Sequence, residues 1–186
     1  MRIVAGALRG RSLVAPKGHS TRPTADRTRQ ALFNVLEHAP WGRPFANLKV
    51  LDLFAGSGAF GLEALSRGAT LAVFVDPDPA ARAAITANIT SLGLGGRTRL
   101  LGDDASRLGA ADTRFDLAFL DPPYGRNLAV PALERLAAGG WLTQDAVVIV
   151  ERGRGEGPLT ALAFTALDER RWGKAEVRFL AWSGQR

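Results

Sequence analysis

The chain has 186 residues, 46% of them hydrophobic, with no cysteine and two histidines, His19 and His38. That length carries one domain with a full core, and the composition excludes a disulfide framework and a cysteine–histidine zinc site, so no metal is expected. No run of about 18 apolar residues occurs and the first residues lack an apolar leader, which points to a soluble, cytoplasmic protein with no membrane partner.

The net charge of +6 is concentrated at one end. Residues 1–30 hold Arg2, Arg9, Arg11, Lys17, Arg22, Arg27 and Arg29 against Asp26, while the other 156 residues balance at 17 basic and 17 acidic. A local field of that kind attracts a polyanion; the plainer alternative is a solvated basic tail. "RIVAGALRGRSLVAP" sets two short apolar runs either side of a Gly and Arg turn, which predicts a basic hairpin arm over residues 1–22 ahead of one domain, 23–186. "RPTADRTRQALFNVLEH" then predicts a helix with Thr24 as N-cap, Asp26 in its first turn and Pro40 beyond its end.

From Leu48 onward, "LKVLDLF", "LAVFVD", "TRLLG", "FDLAFLD" and "AVVIVE" are short, β-rich and apolar on both faces, as buried parallel strands are. Between them "FGLEALSRG", "PAARAAITANITSLG" and "LAVPALERLAAG" read as helices closed by glycine. Two further strands, Phe164–Glu169 and Ala175–Trp182, are separated by "RRWGK" and predict an antiparallel hairpin on the sheet edge. The fold class is α/β: a Rossmann-like, mostly parallel seven-stranded sheet with an antiparallel edge hairpin.

"DLFAGSGAFG" carries Gly56, Gly58 and Gly61 in the G-x-G-x-x-G spacing of a dinucleotide turn. Asp52, four residues ahead of Gly56, is a poor neighbour for a pyrophosphate, and no Arg or Lys occurs between Lys49 and Arg67 to offset it. S-adenosyl-L-methionine, with an ammonium, a sulfonium and no phosphate, fits better. Asp76 closes the second strand and is expected on the ribose hydroxyls; Asp103 or Asp104, closing the third, is expected at the adenine edge. The structural alternative is a tight turn with strand-end aspartates as caps.

The fourth strand ends "FLDPPYG". Two prolines stop the ladder and stiffen the turn after Asp121. An exocyclic amine on a base is a poor nucleophile because its lone pair is delocalised into the ring. Asp121 and the Pro122 carbonyl can accept its two N–H bonds and favour the charge that develops on methyl transfer, with Pro123 fixing the turn and Tyr124 stacking on the base. The alternative is an ordinary proline turn with a surface tyrosine.

"LDLFAGSGAFGLEALSRGA" and "LDPPY" resemble the class I methyltransferases that modify exocyclic amines. The whole chain, from "RIVAGALRGRSL" and "RPTADRTRQALFNVL" to "GWLTQDAVVIVER", resembles the bacterial RsmD family of 16S rRNA guanine-N2 methyltransferases. Gln30 stands where that family commonly has Glu, and Tyr124 where other members have Phe. The resemblance implies transfer to one guanine, at position 966, of small-subunit RNA in an assembled or assembling particle, by a monomeric enzyme. Thr24, Asp52, Phe54, Ala55, Gly56, Ser57, Gly58, Asp76, Asp103, Asp104, Ala105 and Asp121 are then the expected cofactor site. Arg9, Arg11, Lys17, Arg22, Arg27 and Arg29 are the expected RNA contacts. Two other readings stay open: a DNA adenine-N6 methyltransferase, whose amine D-P-P-Y serves equally well, and a non-catalytic RNA-binding protein of the same fold.

Overall fold

A computed structural model describes residues 1–16 and 23–184, and for residues 23–25 the backbone alone. The strands are β1 (Lys49–Leu53), β2 (Leu71–Val75), β3 (Thr98–Leu101), β4 (Phe115–Leu120), β5 (Leu142–Gly153), β6 (Phe164–Trp172) and β7 (Ala175–Trp182). The helices are α1 (Pro23–His38), α2 (Ala59–Ser66), α3 (Pro79–Leu92) and α4 (Ala129–Ala138). They build one seven-stranded sheet in the order β3-β2-β1-β4-β5-β7-β6. β1 to β5 pair in parallel, and β7 is antiparallel to both β5 and β6.

Successive side chains leave a strand on opposite faces. Val50, Phe74, Leu117, Phe119 and Ile149 meet Phe33, Phe60 and Ile85 from α1, α2 and α3. Leu51, Val73, Ala118, Leu120 and Val148 meet Ala132, Leu133 and Leu136 of α4. Cover on both faces is why these strands read as continuous apolar runs, each fully buried side chain contributing about 1.5–3 kcal/mol. The same alternation has a chemical result. Asp52, Asp121 and Glu151, each two residues beyond a member of the first set, emerge on the α1–α3 face at the carboxyl ends of adjacent strands.

Three boundaries differ from the sequence reading. α1 begins at Pro23, whose preset φ suits a first helical position, so Thr24 lies inside the first turn and is not the N-cap. β5 begins at Leu142, ahead of "AVVIVE"; the register with β4 slips between Phe115 and Leu117, and Asp145 sits at φ 60, a bulge that the polar residues 143–145 hid. β6 runs on through Arg170, Arg171 and Trp172, leaving Gly173 (φ 60) and Lys174 as a two-residue turn. Charged side chains on that outer strand protect an open sheet edge.

The arm is a single antiparallel bridge, Arg2 to Ser12, closed by Ile3 N donating to Arg11 O at 2.9 Å and Leu13 N to Met1 O at 3.0 Å. It is clamped to the helices. Fully buried Glu63 of α2 accepts from Val4 N at 2.8 Å and Ala5 N at 3.0 Å. Leu8 N donates to Ser66 Oγ at 2.9 Å, and Asn88 of α3 both accepts from Val14 N (2.8 Å) and donates to Val14 O (2.9 Å). Ile3 and Leu13 enter the core. Gly6 (φ 79) permits this approach, since a Cβ there would stand 2.0 Å from Ser66 O.

Candidate active site

Beyond β1 the chain turns through Phe54 (φ 58), Gly56 (φ 56) and Gly58 (φ 73) into α2. A phenylalanine in the left-handed region is uncommon and marks backbone strain of the kind that collects at functional sites. Ala55 N donates to Val75 O at 3.2 Å, Gly58 N to Ala55 O at 2.7 Å, and Asn88 Nδ2 to Ser57 O at 2.9 Å. Gly61 is needed for packing: a Cβ there would lie 2.5 Å from Phe74 Cε1, so α2 rests directly on β2.

Two carboxylates support this turn. Asp52, 2% exposed, accepts from Gly61 N at 3.0 Å. Asp76 accepts from Gly56 N at 2.8 Å through one oxygen and from Asp78 N at 2.9 Å through the other. Burial, helped by the Asp76 charge and opposed by the Gly61 N–H, pushes Asp52 up to about 8. No side-chain cation pairs with either carboxylate among the described residues. A pyrophosphate here would meet the Asp76 charge and drive Asp52 further toward its neutral form, whereas a nucleoside with a cationic end would favour the ionised form of both. Asp52, expected in the cofactor site, is enclosed beneath the turn.

At the end of β3, Asp104 caps a short 3-10 turn, accepting from Ser106 N (2.8 Å) and Ser106 Oγ (2.7 Å), and these bonds hold its carboxyl below the ordinary range. Asp103 is exposed and Ala105 buried. Arg82 of α3, which the sequence did not single out, donates to Asp76 O at 3.3 Å and Pro77 O at 2.6 Å, and would stand 3.5 Å from a Cβ on Gly102. It braces the ends of β2 and β3 together.

Beyond β4, Asp121 N reaches Leu53 O at 3.5 Å, which sets Asp121 beside the start of the glycine turn. Pro122 is buried, Pro123 exposed, and Tyr124 51% exposed. The Tyr124 hydroxyl donates to Glu151 Oε1 at 3.0 Å. Gly125 N (3.1 Å) and Gly153 N (3.2 Å) both donate to Glu156 Oε1. A Cβ on Gly153 would lie 3.3 Å from Tyr124 Cγ. The D-P-P-Y turn is therefore latched to the segment leaving β5 by Glu151 and Glu156, neither of which the sequence reading named. The available signal was an acid closing "AVVIVE", as acids close the other parallel strands.

Desolvation, then the Glu151 and Asp52 carboxylates, push the Asp121 carboxyl well above the ordinary range. The residue is exposed along the cleft, and the two neighbouring charges by themselves require that direction. Desolvation raises Glu151 too, against the bond from Tyr124, and the Tyr124 phenol is raised by burial and by the surrounding carboxylates.

The basic arm divides differently from its sequence. Arg9 lies on the exposed turn beside Ser66, and Arg11 Nη2 donates to Ser91 O at 2.6 Å. Both are at the far ends of α2 and α3, about 12 Å along α2 from the glycine turn. Arg27 is exposed on α1. Arg29, expected on RNA, is instead buried: it donates to Asp26 Oδ1 at 2.8 Å and to Arg2 O, and its Nε stands 3.8 Å from Glu63. With Arg67, 2.9 Å from the same carboxylate, its charge offsets buried Glu63. Lys17 and Arg22 lie outside the described residues, as does the Thr24 side chain.

This sheet order, with a glycine turn after β1 and D-P-P-Y after the neighbouring β4, defines a class I methyltransferase. The chain belongs to the RsmD family: the family model described as "Conserved hypothetical protein 95" matches residues 1–181. Ribosomal RNA small subunit methyltransferase D of Escherichia coli (strain K12) is 38% identical over 152 residues, 81% of this chain and 74% of that protein. The protein of that name from Haemophilus influenzae is 33% identical over 183 residues, 96% of this chain and 92% of that protein. A solved Escherichia coli chain, yhhF, superposes with a TM-score of 0.84 at 33% identity, covering 100% of this chain and 99% of that one.

Proposed function

We propose that this protein transfers a methyl group from S-adenosyl-L-methionine to the exocyclic N2 amine of a guanine in 16S rRNA, the guanine at position 966, within an assembled or assembling small subunit. The observation that carries the chemistry is the exposed Asp121 on a latched proline turn, beside the strained glycine turn and on the same sheet face as Asp52 and Glu151. The relatives' names supply the substrate class.

The residues present fit the methyl donor: two carboxylates lie at the turn, and Gly56 leaves open space where a side chain would intrude. The donor supplies a methyl on a cationic sulfur. Asp76 keeps unused lone pairs for ribose hydroxyls, Asp103 or the second oxygen of Asp104 serves the adenine edge, and the backbone of Phe54 to Gly58 lines the site. Asp121 and the Pro122 carbonyl accept the two amine N–H bonds. Asp121, raised above an ordinary carboxylate, takes the proton that the nitrogen sheds as its bond to carbon forms. Tyr124, its hydroxyl fixed by Glu151, offers its ring to the base, which must leave its stack to reach the turn. Arg9, Arg11 and Arg27 meet the RNA backbone away from the reacting base.

Tritiated methyl transfer to small-subunit particles from a strain lacking this gene, followed by mapping of the labelled base, tests the reading. Label on guanine N2 of 16S rRNA is the expected result. Label on adenine N6 of DNA, or none on any nucleic acid while RNA is still bound, would replace it with one of the two alternatives.

A further inference from the structure

Arg152, second from the end of β5, is 4% exposed, yet its Nε and Nη1 have no hydrogen-bond partner among the described residues. Its Nη2 donates to Gly157 O. The nearest carboxylate oxygen, Glu156 Oε2, is 3.6 Å from Nε, and the other Glu156 oxygen is taken by Gly125 N and Gly153 N. A buried guanidinium with two unmade donors carries a desolvation cost, and such orphans call for an explanation.

Arg152 lines a half-open cavity of about 230 Å³ whose other walls include Asn127, Ala129, Val130, Glu156 and Pro158. Ala129 and Val130 are the first turn of the ten-residue α4, which has no side-chain cap and no acidic residue in that turn. The positive dipole end of α4, whose third residue Pro131 has no N–H, is therefore at the cavity that Arg152 lines. Such a volume is smaller than the roughly 300–1,000 Å³ of sites that take whole small molecules, so it suits one charged group of a larger ligand. Position selects the ligand. In the order β2-β1-β4-β5 the glycine turn lies on one side of Asp121 and this cavity on the other, next to the Gly153 against which Tyr124 rests.

We propose that Arg152 and the N-terminus of α4 form a phosphate site that grips the backbone phosphodiester beside the target nucleotide, so that the base is held over Tyr124 while the strand is anchored one linkage away. The inference rests on the RNA methyltransferase reading for its ligand, and on Arg152 and the cavity for its location.

In the wild-type protein, inorganic phosphate, with chloride as control, is expected to shift the Arg152 Nε–H resonance saturably. Arg152→Met is expected to raise the KM for small-subunit particles roughly tenfold to a hundredfold, the range for one charge-assisted bond, and to flatten the salt slope by about 0.7–0.9, with S-adenosyl-L-methionine affinity within twofold. If that variant fails to fold, a target RNA with a neutral methylphosphonate flanking the guanine is expected to produce the same loss with the wild-type protein. A phosphate shift at Arg152 without methylation of any RNA would leave the anion site standing and remove the substrate reading. RNA methylation insensitive to both Arg152→Met and the neutral linkage would overturn the phosphate site alone; so would the absence of any phosphate shift.

Discussion

The Tyr124 hydroxyl and Glu151 Oε1 lie 3.0 Å apart, and this bond joins the turn after β4 to the end of β5. It fixes the aromatic ring proposed to carry the base, and it holds a second carboxylate close enough to act on Asp121.

Asp121→Ala is expected to lower methyl transfer at least a hundredfold, since transition-state acceptors of this kind contribute about 3 kcal/mol or more. Affinity for S-adenosyl-L-methionine, read by calorimetry, should stay within a few fold, because the proposed partner of the carboxylate is the amine and not the donor. Turnover near that of the wild type would remove Asp121 from the mechanism.

The rate should depend on pH in a defined direction. In the proposed mechanism the amine N–H bonds need an ionised Asp121, and desolvation with the Glu151 and Asp52 charges holds its carboxyl up, so the single-turnover rate rises with pH along a limb above the ordinary carboxylate range. Glu151→Gln keeps an acceptor for Tyr124 but deletes one of those charges. The limb should move to lower pH in that variant; a limb that stays in place would show that another group titrates.

Asp52→Asn should separate stability from binding. The carboxyl sits at about 8 in the folded chain against 3.8 in its unperturbed state, so the folded form holds its proton more tightly and stability falls as pH rises from about 4 through 8. Asparagine keeps the acceptor for Gly61 N and carries no charge. Without methyl donor, the variant should be more stable to unfolding than the wild type at pH 8 by on the order of a few kcal/mol, and melt higher, with little difference near pH 4. It should also bind S-adenosyl-L-methionine more weakly and lose the proton release that accompanies binding in the wild type below pH 8. Equal melting of the two proteins across that range would contradict the buried, protonated carboxyl.

Glu63→Ala should release the arm. It leaves Val4 N and Ala5 N without their acceptor and strips Arg67, 2.9 Å away, of a buried partner, a kind of loss that costs about 3–5 kcal/mol. Rapid tryptic cleavage after Arg9 and Arg11, with a lowered melting temperature, is the expected signature. Removing residues 1–16 should be comparably destabilising because Ile3 and Leu13 leave the core, so RNA contact by the arm is better probed by Arg9→Gln.

The sequence by itself determined the order of strands and helices along the chain, the glycine turn and the D-P-P-Y turn, because those features are local: short continuous apolar runs, glycines where φ is positive, prolines where a ladder must stop. It also located the charge excess. What it could not carry was which face each strand-end acid would take relative to its neighbours, since that depends on register between strands up to a hundred residues apart. Only the tertiary structure brought Asp121, Asp52 and Glu151 to one face, where their mutual repulsion alters their chemistry. Packing also divided the basic residues, burying Arg29 against Glu63 while leaving Arg9 and Arg27 in solvent. In Arg152 it enclosed a cation that the sequence showed only as one more charge near a strand end.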